Sequence, residues 1–213
     1  MTSRLRTSSH FVALGLGAAA LLTATAMIGS TAAAGGATPA KVTDTHDGFT
    51  FALPSGWSQV SLKGNKVGQL LGKAKKVSPQ LRQTLNSEVT PQTEKSVKVY
   101  ATATTQSAGV FSNVNVIVES ARADLATMEQ VDRQGLGQIG AKSITQKAVR
   151  YSIGTVSVSS YTLQVEGGTV YGTQVYAGHG NSTYIVSFTA GTPALSATFE
   201  NQIMRSWRFT ATR

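Results

Sequence analysis

Lys63, Lys66, Lys73, Lys75, Lys76 and Arg82 fall in a stretch that holds no acidic residue between Asp47 and Glu88. At about 100° per residue, Lys66, Lys73 and Lys76 share one flank of a helix. Such a flank presents point charges to an anion, so Lys63, Lys66, Lys73 and Lys76 are the candidate ligand-binding residues. A row of lysines is also what the solvated face of an amphipathic helix carries. No other ligand chemistry is as strongly marked.

Catalytic patterns were sought and are sparse. A hydrolytic triad needs a histidine between a nucleophile and an orienting acid. The chain has three histidines, His10, His46 and His179, and no G-x-S-x-G elbow. His46 stands in Asp44-Thr-His-Asp47, where two carboxylates and an imidazole could touch a metal but read better as a capped turn. His179 lies in a glycine-flanked turn, and H-E-x-x-H spacing is missing. Gly135-Leu-Gly-Gln-Ile-Gly140 matches G-x-G-x-x-G as a string. A phosphate cradle needs those glycines between a strand and a helix start. Here they close a helical stripe, so the expectation is a helix terminus. Glu119, Asp124 and Glu129 flank or occupy that helix as caps and surface pairs. No cofactor, metal site or catalytic residue is expected, and the chain reads as a non-enzyme.

The N-terminus bears on location. Arg4, Arg6 and His10 lead into an uncharged run from Phe11 to Ile28, and Ala32-x-Ala34 is a cleavage pattern. That is the order of a secretory signal peptide over residues 1–34. An uncleaved anchor is the alternative, since about 18 apolar residues can span a bilayer. Residues 35–47 read as a flexible tether and 48–213 as a single domain, large enough for a respectable core. There is no cysteine, which removes disulfides, thiolate chemistry and a lipidation site. The net charge is +9, and loss of Arg4 and Arg6 leaves +7. For an exported basic protein the expected partner is a cell-envelope component, whether lipid, wall polymer or protein, and nucleic acid is not expected. No motif specifies an oligomeric state.

The elements follow from periodicity. Phe49, Phe51 and Leu53 alternate with Thr50 and Ala52, which predicts a strand ended by Pro54 and a Ser55-Gly56 turn. Val67, Leu70, Leu71, Ala74 and Val77 form a helical stripe, and Ser78-Pro79 restarts it toward Leu81 and Leu85. Val97–Thr102 and Asn113–Val118 alternate with period two around Gly109 and predict a hairpin. A second helix carries Leu125, Met128, Val131, Leu136 and Ile139, with Asp124 as N-cap and Gly140 at its end. Strands are predicted over 143–153, 156–165, 170–177 and 184–188, then a helix from Thr192-Pro193 with Leu195, Phe199 and Ile203 on one face. Hairpin-length connections make the sheet antiparallel, and each amphipathic helix needs a sheet face. The expectation is an α+β fold: one twisted antiparallel sheet flanked by helices.

The opening G-F-x-F-x-x-P-x-G-W, Gly48 to Trp57, resembles the start of the PsbP/Mog-like superfamily. So does the ending, where Tyr184-Ile-Val-Ser-Phe188 leads to a helix and a Ser206-Trp-Arg-Phe209 close. Within it, the style is similar to the exported actinobacterial LpqN/LpqT branch. The resemblance implies an α/β/α sandwich, a cell-envelope setting and a use in binding or assembly, with no shared catalytic residues to transfer. The missing lipidated cysteine departs from the lipoprotein members. Two functions follow as expectations: an envelope binding or assembly protein, or an electrostatic wall or membrane adhesin using the basic helix. A cryptic hydrolase would require a buried His or an acid cluster with strongly shifted pKa.

Overall fold

The computed structural model describes residues 40–59, 97–165 and 168–211. The opening aromatic strand forms as its alternation predicts: β2 (Phe49–Ala52) buries Phe49 and Phe51, and Leu53 follows them into the core. Its partners are the two ends of the described chain. It pairs antiparallel with β1 (Lys41–Asp44) on one side and with β10 (Arg208–Phe209) on the other, in a three-stranded sheet.

Within the stretch expected as a tether over 35–47, residues Lys41–Asp44 form β1. Val42 is buried, and the Thr50 hydroxyl donates to its carbonyl at 2.7 Å. A strand of four residues beside a Gly/Ala-rich run has too few alternations to announce itself, and pairing with β2 makes it. The stripe expected over residues 67–85 lies outside the described residues.

The main sheet has seven antiparallel strands in the order β3-β4-β5-β9-β8-β7-β6. These are β3 (Trp57–Gln59), β4 (Val97–Ser107), β5 (Val110–Glu119), β6 (Lys142–Tyr151), β7 (Gly154–Val165), β8 (Gly168–His179) and β9 (Ser182–Ala190). The hairpin at Gly109 forms, with Ser107 opposite Val110 and Gly109 at φ +76°. Helix α1 (Leu125–Gln138) starts where Asp124 accepts the Thr127 N–H, and Gly140 at φ +79° follows its end. Helix α2 (Pro193–Ser206) is capped by Thr192, with Pro193 in its first turn.

Period-two alternation splits the sheet into two faces. Val114, Val116, Val175 and Val186 turn toward the small sheet and α2, where they pack with Ile203, Met204 and Trp207. Ile117, Tyr176 and Ile185 turn the other way, toward Met128 of α1. The α+β class with helices flanking a twisted antiparallel sheet is thus what the chain adopts, accompanied by the small sheet. The Ser206 hydroxyl accepts the Ala52 N–H at 3.0 Å, which ties the end of α2 to β2.

Candidate binding groove

β6 is an edge strand, and its register sets which residues look toward α2. Lys147 stands opposite Val158 and Val149 opposite Val156, and both partners belong to the core under α2. Lys147, Val149 and Tyr151 therefore share that face. The sheet face at this edge and the flank of α2 leave two hollows between them. The first, about 360 Å³, includes Lys147, Ser160, Tyr171, Thr173, Ser196 and Glu200 among its walls. The second, about 490 Å³, is lined by Val149, Arg150, Tyr151, Ser152, Asn201 and Arg205.

The hollows meet at one contact. The Tyr151 hydroxyl donates to Glu200 Oε1, and each partner lines a different hollow. Glu200 is only 5% exposed. Burial pushes the Tyr151 phenol well up, and its bond to the Glu200 carboxylate adds to the shift. Thr173 and Ser196 bond through their hydroxyls at 2.8 Å at the wall of the first hollow. The rim is cationic: Lys147, Arg150 and Arg205 are exposed, and Glu200 is the single carboxylate lining either hollow among the described residues. Aromatic and aliphatic walls with positive charges at the mouth can hold an apolar body and an anionic group together.

A second polar cluster lies across the sheet, and sequence reasoning missed it. Asp132 of α1 is 1% exposed and accepts from the Tyr176 hydroxyl at 2.8 Å and from Gln146 Nε2 at 3.5 Å. Burial raises its pKa from the ordinary 3.8 to about 6, against the opposing pull of the Ser159 and Tyr176 hydroxyls, Gln146 and Arg133. Gln146 is held in turn by Arg133 Nε at 3.0 Å and by its own bond to the Glu129 carbonyl at 2.7 Å. Glu129, expected on the surface, accepts from Ser157 at 3.1 Å. The available signal was an acid within the buried stripe Met128, Val131, Gly135 and Leu136. Asp132 lines neither described hollow, so its shifted carboxyl has no route to a substrate from them.

The basic-helix candidates Lys63, Lys66, Lys73 and Lys76 lie outside the described residues. Asp44 caps its turn as expected, its Oδ1 accepting from the N–H groups of His46 and Asp47 at 2.9 Å each. Asp47 pairs with Lys98 at 3.1 Å. No group of three metal-ligating side chains occurs among the described residues. The glycines of 135–140 close α1: Ile139 N–H donates to the Gly135 carbonyl and Gly140 N–H to that of Gly137. His179 is exposed at the end of β8, with its ring stacked on Phe209 at 4.0 Å.

No family model and no curated protein matches this chain. Solved structures do. Cyanobacterial PsbP (CyanoP) from Synechocystis sp. PCC 6803 superposes with a TM-score of 0.54 at 16% identity, over 85% of this chain and 98% of that one. LpqN of Mycobacterium tuberculosis, described as involved in cell envelope biogenesis, gives 0.46 at 11% identity over 83% and 92%. A protein of Bacteroides thetaiotaomicron VPI-5482 gives 0.44 at 15% identity over 79% and 47%. The likeness to the cyanobacterial protein shows that this chain has a PsbP-like fold.

Proposed function

We propose that this is a non-catalytic binding or assembly protein of the cell envelope, and that the groove between β6 and α2 takes an amphiphile with an anionic head. The observation that carries the reading is the charge of the rim. Lys147, Arg150 and Arg205 surround hollows whose lining carboxylate, Glu200, is already engaged by Tyr151. Charge complementarity therefore selects an anion, and Val149, Tyr151 and Tyr171 supply surface for an apolar chain. Export is supported by the basic, apolar and small-residue order of the first 34 residues. No helix among the described residues is long and apolar enough to cross a membrane. No histidine lines either hollow among the described residues, which favours holding a ligand over turning it over.

Titration with lysophosphatidylglycerol below its micellar concentration tests this, read by NMR at Ser160, Tyr171 and Val149. Saturable shifts confined to that flank are expected. Shifts spread evenly over the surface, or none, contradict the reading.

A further inference from the structure

We infer that the wider hollow is a subsite for a phosphate-type oxyanion, gripped between Arg150 of β6 and Arg205 of α2. The inference rests on the groove reading and assigns the head of the ligand to one end of it.

Three guanidinium groups gather at this end. Arg150 and Arg205 line the hollow, and Arg208 reaches its wall by donating from Nη1 to Ser152 Oγ at 3.1 Å. Glu200, the carboxylate of the groove, lines the first hollow and is bonded by Tyr151, and no carboxylate lines the wider hollow among the described residues. The wider hollow is thus lined by cations without an acid of its own among the described residues, which favours an anionic occupant. The α2 C-terminus opposes this, because its carbonyl end carries partial negative charge. Arg208 offsets much of that, since it donates to the carbonyls of Arg205 at 2.8 Å and Trp207 at 2.6 Å. The Arg205 side chain is exposed and lines the hollow.

The remaining polar groups are donors. Ser152 accepts from Arg208, so its own hydroxyl proton is available. Asn201 spends one amide N–H on the Ala197 carbonyl at 2.9 Å and keeps a second. A carboxylate is satisfied by one bidentate guanidinium. A tetrahedral oxyanion has oxygens enough for two guanidiniums and a hydroxyl at once, so the donor set fits phosphate better. The source is either a phospholipid or phosphopolymer head or free phosphate, and the chemistry recognised is the same.

The test uses the full chain and its variants Arg150→Gln, Arg205→Gln and the double variant, with Lys142→Gln as a control that removes equal charge elsewhere on β6. Inorganic phosphate is titrated by NMR, and vesicles with and without phosphatidylglycerol are co-sedimented. Each arginine variant is expected to weaken phosphate binding by about five- to tenfold, the size of a lost charge-assisted contact, with Lys142→Gln near the parent. Dependence on the arginines for vesicles as well as phosphate assigns a lipid source; dependence for phosphate alone assigns a soluble one. Both support the subsite. Binding within twofold of the parent in the double variant, equal loss in Lys142→Gln, or no phosphate binding at all overturns it. A neutral monoacylglycerol separates the two readings. If it still binds while phosphate does not, the groove stands and the subsite falls. If lysophosphatidylglycerol gives no saturable shifts along that flank while arginine-dependent phosphate binding persists, the subsite stands alone.

Discussion

The indole of Trp207 lies 5.0 Å from the ring of Phe51, with the two planes within 4° of parallel. Phe49 stacks on the same indole at 5.0 Å. The strand that opens the domain and the residue that closes α2 are thus one packed unit, and all three rings are buried. Replacing Trp207 by alanine removes the centre of that unit. Trp207→Ala is expected to cost about 3–5 kcal/mol of stability in urea denaturation. A loss below about 1 kcal/mol contradicts this account of the core.

Gly172 is required by its cross-strand neighbour. A methyl group there would stand 2.2 Å from Cζ of Tyr161, whose ring covers the glycine. Tyr161 is 3% exposed and has little room to withdraw. Gly172→Ala should therefore destabilise by about 1–3 kcal/mol, as overpacked cores do. The double change Gly172→Ala, Tyr161→Phe should not fully recover it, because ring carbons Cζ at 2.2 Å and Cε2 at 2.5 Å would still clash once the hydroxyl, also at 2.5 Å, is gone. Full recovery in that variant contradicts the prediction.

Asp132 makes stability depend on pH in a known direction. Its proton is held to about pH 6 in the folded chain against 3.8 ordinarily, so folding takes up a proton between those values. Its contribution is most favourable below about pH 4, falls as pH rises to about 6, and is level above. Asp132→Asn keeps an acceptor for Tyr176 and removes the fall. The variant should gain on the order of 2–3 kcal/mol over the parent at pH 8 and little at pH 3.5. Denaturation at the two pH values checks it, and an equal difference at both contradicts it.

Tyr151 holds Glu200 at the junction of the two hollows. Tyr151→Phe keeps the ring as groove wall but leaves a buried carboxylate short of a donor. A loss of about 1–3 kcal/mol is expected. Adding Glu200→Gln to that variant should return part of it, since a neutral amide is cheaper to bury unpaired. Thermal unfolding of the single and double variants measures the coupling. Strict additivity would contradict the pairing.

Local patterns marked most of the fold. Asp124 and Thr192-Pro193 announced both described helices, and the Phe49–Leu53 alternation announced its strand. One of the two partners of that strand was invisible, because β10 is two residues long and meets Phe49 and Thr50 only through the folded chain. Asn113 and Asn115 alternate with valines as a water-facing row would, yet both are fully buried. Burial on both faces of β5 is a property of the layers around it and leaves no trace in period. The groove was illegible for a related reason. Tyr151 and Glu200 stand 49 positions apart, and Arg150 and Arg205 line one hollow only because α2 folds back across the face of the sheet. The lysine-rich stretch stands out in the sequence because its charges are close together along the chain.

The central claim is that the flank between β6 and α2 holds an amphiphile, and filling that flank is the most direct measurement. Ala197 is exposed on α2 and lines the first hollow, whereas Gln202 is exposed and lines neither. Lysophosphatidylglycerol affinity is compared by calorimetry for the parent, Ala197→Trp and Gln202→Trp. The account predicts saturable binding to the parent, retained in Gln202→Trp and lost by about tenfold or more in Ala197→Trp. Equal affinity in all three would contradict it.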